Sequence, residues 1–113
     1  MIKSWSYLRE YKELRKRILK SIDKSLNSGD VFFGKELKKF EESFLKRNNL
    51  KYGIAVGSGT DALYLSLISL GIGPGDEVIT VSNSAIPTVS AIISCGANVK
   101  FVDVDENYLM DAK

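Results

Sequence analysis

The chain contains no histidine, and its 113 residues include one cysteine and two prolines. Without histidine, neither a histidine general base nor a histidine metal site can be built from these residues. A lone cysteine cannot form a disulfide within one chain, so nothing indicates export, and we expect a cytoplasmic protein. No apolar run reaches the length that a membrane-spanning helix needs, so we expect no membrane partner.

Charge is distributed unevenly along the chain, although the net charge at neutral pH is only +2. Residues 1–51 contain 14 basic and 7 acidic residues (+7), whereas residues 52–113 contain 2 and 7 (−5). A basic half is compatible with nucleic-acid binding. Here, however, the basic residues flank an apolar helical stripe, and no aromatic residues interleave with them. We therefore interpret them as solvated helix faces and expect no nucleic-acid partner.

Apolar periodicity and turn residues predict seven elements in the order α-α-β-α-β-α-β. The expected helices span 7–27, 35–47, 60–70 and 87–95, and the expected strands span 52–56, 77–81 and 99–104. Strands that alternate with helices pair in parallel, so the predicted fold class is α/β, with N-terminal helices followed by β-α-β-α-β. We expect an N-terminal helical segment over 1–50 and an α/β domain that begins at residue 51.

The most informative segment is Tyr52-Gly-Ile-Ala-Val-Gly-Ser-Gly-Thr-Asp-Ala-Leu63. It predicts a short strand, a glycine turn and the start of a helix, an arrangement that points backbone N–H groups at a phosphate. Gly57 to Ala62 formally matches the G-x-G-x-x-A pattern of dinucleotide-binding domains. Those domains also need an acidic residue at the carboxyl end of the second strand, where this chain has Ser82-Asn-Ser84.

The alternative for this turn is a site for one phosphate dianion. Gly59 would let the backbone approach closely, Thr60 would donate through its amide and its hydroxyl, and the Asp61 amide would be a further donor. A purely structural strand-to-helix turn is equally compatible with these residues. The turn by itself therefore leaves a dinucleotide site, a phosphate site and a structural role open.

Three further segments agree with the turn Ser58-Gly-Thr-Asp-Ala-Leu63 in order and spacing. They are Gly71-Ile-Gly-Pro-Gly-Asp-Glu-Val-Ile79, Ser94-Cys-Gly-Ala97 and Phe101-Val-Asp-Val-Asp105, and upstream lie Leu26-Asn-Ser-Gly-Asp-Val-Phe-Phe-Gly34 and Phe40-Glu-Glu-Ser-Phe44. As a set they resemble the sugar-nucleotide aminotransferases of the DegT/DnrJ/StrS type, which are pyridoxal-phosphate enzymes of fold type I. The resemblance covers essentially the whole chain, and residues 51–113 would then be the first, incomplete part of the cofactor-binding large domain.

The resemblance implies roles for six positions. Gly59, Thr60 and Asp61 would bind the phosphate of pyridoxal phosphate. Ala85 would lie against the pyridine ring, at a position where the family often has an aromatic residue. Phe32 and Phe33 would border the sugar site of a dimer, although apolar packing is an equally compatible role for them.

The resemblance also implies an activity for the full enzyme. It would transfer an amino group, typically from glutamate, to a nucleotide-linked keto-sugar in deoxyaminosugar or surface-polysaccharide biosynthesis, and it would be a homodimer. This chemistry needs a lysine that bonds to the cofactor and a carboxylate beside the pyridine nitrogen. In the family both lie downstream of the matched segments, and Lys51, Lys100 and Lys113 are poorly placed to substitute.

We therefore expect no catalytic residue in this chain, which would be an N-terminal fragment that is inactive alone. A Rossmann-like dinucleotide-binding domain and a non-catalytic regulatory relative remain the alternatives. The resemblance further implies that the strand at 52–56 lacks its neighbour within these residues. We interpret Asp103 and Asp105 as structural or solvated carboxylates, expecting no metal, and Cys95 as a small core residue.

Overall fold

The computed structural model describes residues 5–111. Its elements are α1 (Leu8–Ser28), α2 (Lys35–Arg47), α3 (Gly59–Ser69), β1 (Glu77–Val81), α4 (Ile86–Ser94) and β2 (Asn98–Val102). The chain divides into two compact units, Met1–Ala55 (unit 1) and Val56–Lys113 (unit 2). Within 5–111, no helix is long and apolar enough to cross a membrane.

Unit 1 contains the two amphipathic helices. α1 ends at Gly29, whose backbone is left-handed (φ 69°) and whose N–H donates to the Leu26 carbonyl. Glycine adopts this conformation at little cost, which makes it a common helix terminator. α2 begins at Lys35 and ends at Arg47, as the sequence predicted.

A carboxylate of α2 is shared between two lysines of unit 1. Glu36 Oε1 lies 2.9 Å from Lys24 Nζ of α1 and 3.1 Å from Lys39 Nζ of α2. These contacts lower the pKa of Glu36, and the hydrogen bond from Lys24 is the largest cause. The pair between Lys24 and Glu36 joins the C-terminal part of α1 to the first turn of α2.

The segment 52–56, predicted as a strand, has no regular secondary structure. Instead, the Ala55 N–H donates to Glu41 Oε1 of α2 at 2.7 Å. The Leu45 side chain packs against Gly53, because a Cβ added to Gly53 would lie 2.9 Å from the Leu45 Cδ2 methyl carbon. The strand prediction was wrong for these residues because a strand needs a paired neighbour, and residues 5–111 supply none to this segment.

Unit 2 is built around a parallel βαβ arrangement. β1 pairs with β2, with Glu77 opposite Asn98 and Val81 opposite Val102. α4 is the crossover between them. β2 ends at Val102, two residues earlier than predicted. These alternating helices and parallel strands confirm the predicted α/β class.

The core of unit 2 lies between the helices and the sheet. Its buried residues are Ala91, Ile92, Cys95 and Ala97. Tyr64, Leu67, Ile72, Val78 and Val99 pack against it and are partly buried. The Cys95 thiol donates to the Ile92 carbonyl at 3.0 Å, so this cysteine is a buried core residue, as its apolar surroundings predicted.

Candidate functional site

The start of α3 is fixed by a serine side chain. Ser58 is the N-cap, with extended backbone angles (φ −159°, ψ 168°). Its Oγ accepts the Asp61 N–H at 3.1 Å, and its carbonyl accepts the Ala62 N–H at 3.0 Å. This is the usual way of satisfying one of the unpaired donors at a helix start. The S-x-x-D spacing of Ser58 and Asp61 resembles a capping box, and this signal could have predicted the cap.

Two backbone donors at this helix start remain free. Within residues 5–111, the N–H groups of Gly59 and Thr60 have no hydrogen-bond acceptor. The first N–H groups of a helix have no partner inside it, and the helix dipole concentrates positive charge there. The Thr60 hydroxyl also makes no hydrogen bond to the described residues, although Thr60 is half-buried. Gly59 and Thr60 therefore offer three donors to an anion.

Nothing in the described protein requires glycine at position 59. A Cβ added to Gly59 would meet no atom within 4 Å, and its backbone is not in the left-handed region. Glycine in a helix costs about 0.5–1 kcal/mol relative to alanine. The absence of a side chain keeps open a space beside the two free N–H groups. This donor set and this space fit a phosphate group approaching the backbone closely.

Asp61 takes part in the cap of its own helix. Its amide already donates to Ser58 and would have to leave that acceptor, or share it, to bind an anion. Its carboxylate folds back towards Gly57, where a Cβ would lie 2.8 Å from Asp61 Oδ2. Of the three residues predicted to bind the phosphate, Gly59 and Thr60 have free donors among the described residues, and the Asp61 donor is engaged by the cap.

Ala85 lies at the start of α4. It is the N-cap residue of that helix, after the short loop that follows β1. A short turn joins the end of α3 to the amino end of β1, so the chain reverses direction between them. The 11-residue helix α3 and the 5-residue strand β1 have similar lengths, about 16 Å. The topology therefore places the start of α3 at the carboxyl edge of β1, the edge at which Ala85 lies.

Phe32 and Phe33 lie in unit 1, in the turn between α1 and α2. Their side chains are 86% and 93% exposed, and Phe33 has a left-handed backbone (φ 51°), which is unusual for an aromatic residue. Asp30 holds the turn, because its Oδ2 accepts the Lys35 N–H at 3.2 Å. A Cβ at Gly34 would collide with the Asp30 carbonyl oxygen. The aromatic pair is therefore presented to solvent rather than packed within unit 1.

Two of the three lysines named as possible replacements make contacts of their own within the described residues. Lys51 Nζ lies 5.1 Å from the centroid of the Tyr52 ring. Lys100 lies inside β2, and its Nζ is 3.7 Å from Glu77 Oε1. Lys113 is outside the described residues.

The two aspartates near the end of the chain organise turns. Asp103 Oδ1 accepts the Val104 N–H at 2.8 Å, and Asp105 Oδ1 accepts the N–H groups of Asn107 and Leu109, both at 2.9 Å. Within 5–111, no three acidic or cysteine side chains are grouped as a metal site would require. Local backbone donors thus account for both carboxylates.

Comparison with known proteins gives consistent matches. The sequence model of the DegT/DnrJ/EryC1/StrS aminotransferase family matches residues 12–113. The dTDP-3-amino-3,4,6-trideoxy-alpha-D-glucose transaminase of Micromonospora megalomicea subsp. nigra is 45% identical over 95% of this chain and 29% of its own length.

Two solved structures share the fold. A DegT DnrJ EryC1 StrS aminotransferase from Brucella abortus is 30% identical with a TM-score of 0.90, over 97% of this chain and 30% of that chain. NtdA from Bacillus subtilis, solved with bound cofactor PMP, is 34% identical with a TM-score of 0.79, over 82% and 21%. The chain spans 24–29% of the length of the curated relatives that it matches.

Proposed function

Because the chain belongs to the DegT/DnrJ/EryC1/StrS aminotransferase family, we propose that it carries the phosphate-binding part of a pyridoxal-phosphate-dependent transaminase. The proposed acceptor is a nucleotide-linked keto-sugar and the proposed donor is glutamate. The name of the Micromonospora relative and the PMP bound to NtdA support the substrate class and the cofactor. A relative named as a spore coat polysaccharide biosynthesis protein supports a role in deoxyaminosugar or surface-polysaccharide biosynthesis. We also propose that the protein is a cytoplasmic homodimer.

The observation that carries the proposal is the start of α3. The free N–H groups of Gly59 and Thr60 and the Thr60 hydroxyl are suited to a phosphate dianion, beside a glycine that the described protein does not itself need. When bound, the cofactor supplies an electron sink at its pyridine ring. The residues of this chain would hold its phosphate and orient it.

The other predicted residues have supporting roles in this proposal. Ala85 would contact the ring through a small side chain, and Phe32 and Phe33 would border the sugar. Residues 1–50 would form the N-terminal helical segment, and residues 51–113 would form the first part of the cofactor-binding domain. No residue of this chain is assigned a catalytic role.

A dinucleotide is the competing ligand for this turn. The loop after β1 reads Ser82-Asn-Ser84 and offers no carboxylate to a ribose. Membership of an aminotransferase family favours neither a dinucleotide-binding domain nor a non-catalytic regulator.

Phosphorus NMR of the 113-residue chain tests the proposal. Three donors worth about 1.5 kcal/mol each would give a dissociation constant near 1 mM for pyridoxal phosphate, with weaker binding of NAD. Thr60→Ala should raise this constant at least tenfold, because it removes a charge-assisted hydrogen bond of roughly 1.5–3 kcal/mol. Ser66→Ala, on the same helix but away from its start, is the control. With glutamate added, the chain should release no 2-oxoglutarate.

Two results would overturn the proposal. One is NAD binding that is tighter than pyridoxal-phosphate binding. The other is equal affinity for pyridoxal phosphate in the wild type and in Thr60→Ala.

A further inference from the structure

The glycine turn before α3 has more free backbone donors than one phosphate group needs. Besides the N–H groups of Gly59 and Thr60, those of Gly57 and Ser58 make no hydrogen bond within residues 5–111. At the G-x-G-x-x-G/A turn of dinucleotide-binding domains, glycine lets the backbone approach a diphosphate closely. The backbone donors of this turn would therefore suffice for two phosphate groups, and they do not by themselves explain a preference for one.

The Asp61 carboxylate distinguishes the two glycines of this turn. A Cβ added to Gly57 would lie 2.8 Å from Asp61 Oδ2, so the carboxylate fills the room that the missing side chain of Gly57 leaves. The corresponding space beside Gly59 is open, with no atom within 4 Å of an added Cβ. A ligand can therefore approach the backbone freely at Gly59, whereas at Gly57 it meets a carboxylate.

The charge of Asp61 is not neutralised by its surroundings. Within 5–111, no basic side chain pairs with its carboxylate, and the carboxylate oxygens accept no hydrogen bond. Of the two basic residues of unit 2, Lys100 pairs with Glu77, and Lys113 lies outside the described residues. The dipole of α3 stabilises a carboxylate in its first turn, which explains how the charge is tolerated. A phosphate group at Gly57 would be repelled by this charge, and the repulsion increases with the charge of the ligand.

We propose that Asp61 restricts this turn to ligands with a single phosphate group and excludes diphosphates. The inference rests on the proposed function, in which one phosphate binds at Gly59 and Thr60. A phosphate monoester uses the open part of the turn, whereas the second phosphate group of a diphosphate meets the carboxylate beside Gly57. Asp61 is thus the residue that decides, in this chain, whether a G-x-G-x-x-A turn binds a monoester or a dinucleotide.

Titration of the 113-residue chain with pyridoxal phosphate and with inorganic pyrophosphate, followed by phosphorus NMR, measures this selectivity. The wild type should bind pyrophosphate about tenfold more weakly than pyridoxal phosphate, and the difference should narrow in about 0.5 M salt, which screens the repulsion. Asp61→Asn removes the charge and should tighten pyrophosphate binding about tenfold, but pyridoxal-phosphate binding no more than about threefold, because the more highly charged ligand gains more. Asp61→Ala, which also removes the obstruction beside Gly57, should have an effect at least as large.

Amide chemical shifts locate each ligand on the turn. Pyridoxal phosphate should shift the signals of Gly59 and Thr60, whereas pyrophosphate should also shift the signal of Gly57, and should do so in Asp61→Asn only. Glu77→Gln is the matched control, because it removes the same charge from unit 2 at the amino end of β1, and it should leave both affinities unchanged. All variants should keep the helical circular dichroism of the wild type.

Three outcomes would overturn the selectivity proposed for Asp61. The first is a wild type that binds pyrophosphate as tightly as pyridoxal phosphate. The others are a ratio of the two affinities that stays unchanged in Asp61→Asn, and a ratio that Glu77→Gln changes as much. Each would leave the proposed function standing as long as Thr60→Ala still weakens pyridoxal-phosphate binding. Loss of that Thr60 effect would overturn the proposed function, and the selectivity with it.

Discussion

Replacing Gly59 with alanine should change stability and ligand binding in opposite directions. The new Cβ meets no atom within 4 Å, and the backbone is not left-handed, so the substitution introduces no strain. Alanine is favoured over glycine in a helix by up to about 1 kcal/mol, and roughly half of that is expected in the first turn. For a unit of this size, 0.5 kcal/mol corresponds to a rise in Tm of roughly 2–4 °C.

The affinity for phosphate should fall in the same variant. The methyl group occupies space beside the free N–H groups of Gly59 and Thr60, and losing one charge-assisted hydrogen bond costs roughly 1.5–3 kcal/mol, or about 10- to 150-fold in affinity. The assays are thermal unfolding followed by circular dichroism and titration with pyridoxal phosphate followed by phosphorus NMR.

Gly71, at the other end of α3, is the matched control. A Cβ there also meets no atom within 4 Å, but its backbone is left-handed (φ 79°). Gly71→Ala should therefore lower stability by about 1–2 kcal/mol and leave phosphate binding unchanged. If Gly59→Ala raises the Tm but binds pyridoxal phosphate as the wild type does, the open space beside Gly59 is not where the anion approaches, and the reasoning fails.

Three further predictions concern single contacts. Ser58→Ala removes the cap on the Asp61 amide and should cost about 1 kcal/mol of unfolding free energy, whereas Ser58→Asp should retain it; denaturant unfolding measures both. Gly34→Ala forces a Cβ onto the Asp30 carbonyl and should lower the Tm of the α1–α2 pair by several degrees in circular dichroism, and an unchanged Tm would contradict this prediction. The pKa of the Glu36 carboxyl is lowered in the folded chain, so its contribution to stability should be complete above about pH 4.5 and should be lost as the pH falls through the lowered value. Glu36→Gln should therefore make the helical circular dichroism less sensitive to acid. An acid profile identical to that of the wild type would contradict this prediction.

Elements whose signals are local were predictable from the sequence. α2 and β1 have the predicted bounds, because apolar periodicity defines one and turn residues enclose the other. The segment 52–56 was not predictable in the same way. Its composition is that of a strand, but strand formation depends on a neighbour that residues 5–111 do not supply.

The candidate site was also predictable only in part. The sequence identified the turn at Gly59 and Thr60, since glycines between an apolar segment and a helix have a definite geometric meaning. It did not show that Ser58 competes for the Asp61 amide, because a cap and a ligand use the same donors and only coordinates show which acceptor is present. The left-handed backbone of Phe33 was also not predictable, because it arises from the tight turn around Asp30 and not from the preference of phenylalanine.

The register of the sheet in unit 2 has a consequence for how the chain is made. Paired residues of β1 and β2, such as Glu77 and Asn98, are 21 positions apart, and the helix that packs on them lies between. The loop to be closed is therefore short, and its entropic cost is small. At a synthesis rate of about 5–20 residues per second, the stretch from Glu77 to Val102 is made in a few seconds. The pairing can then form without waiting for a distant part of the chain, because the two strands and the helix between them are contiguous in sequence.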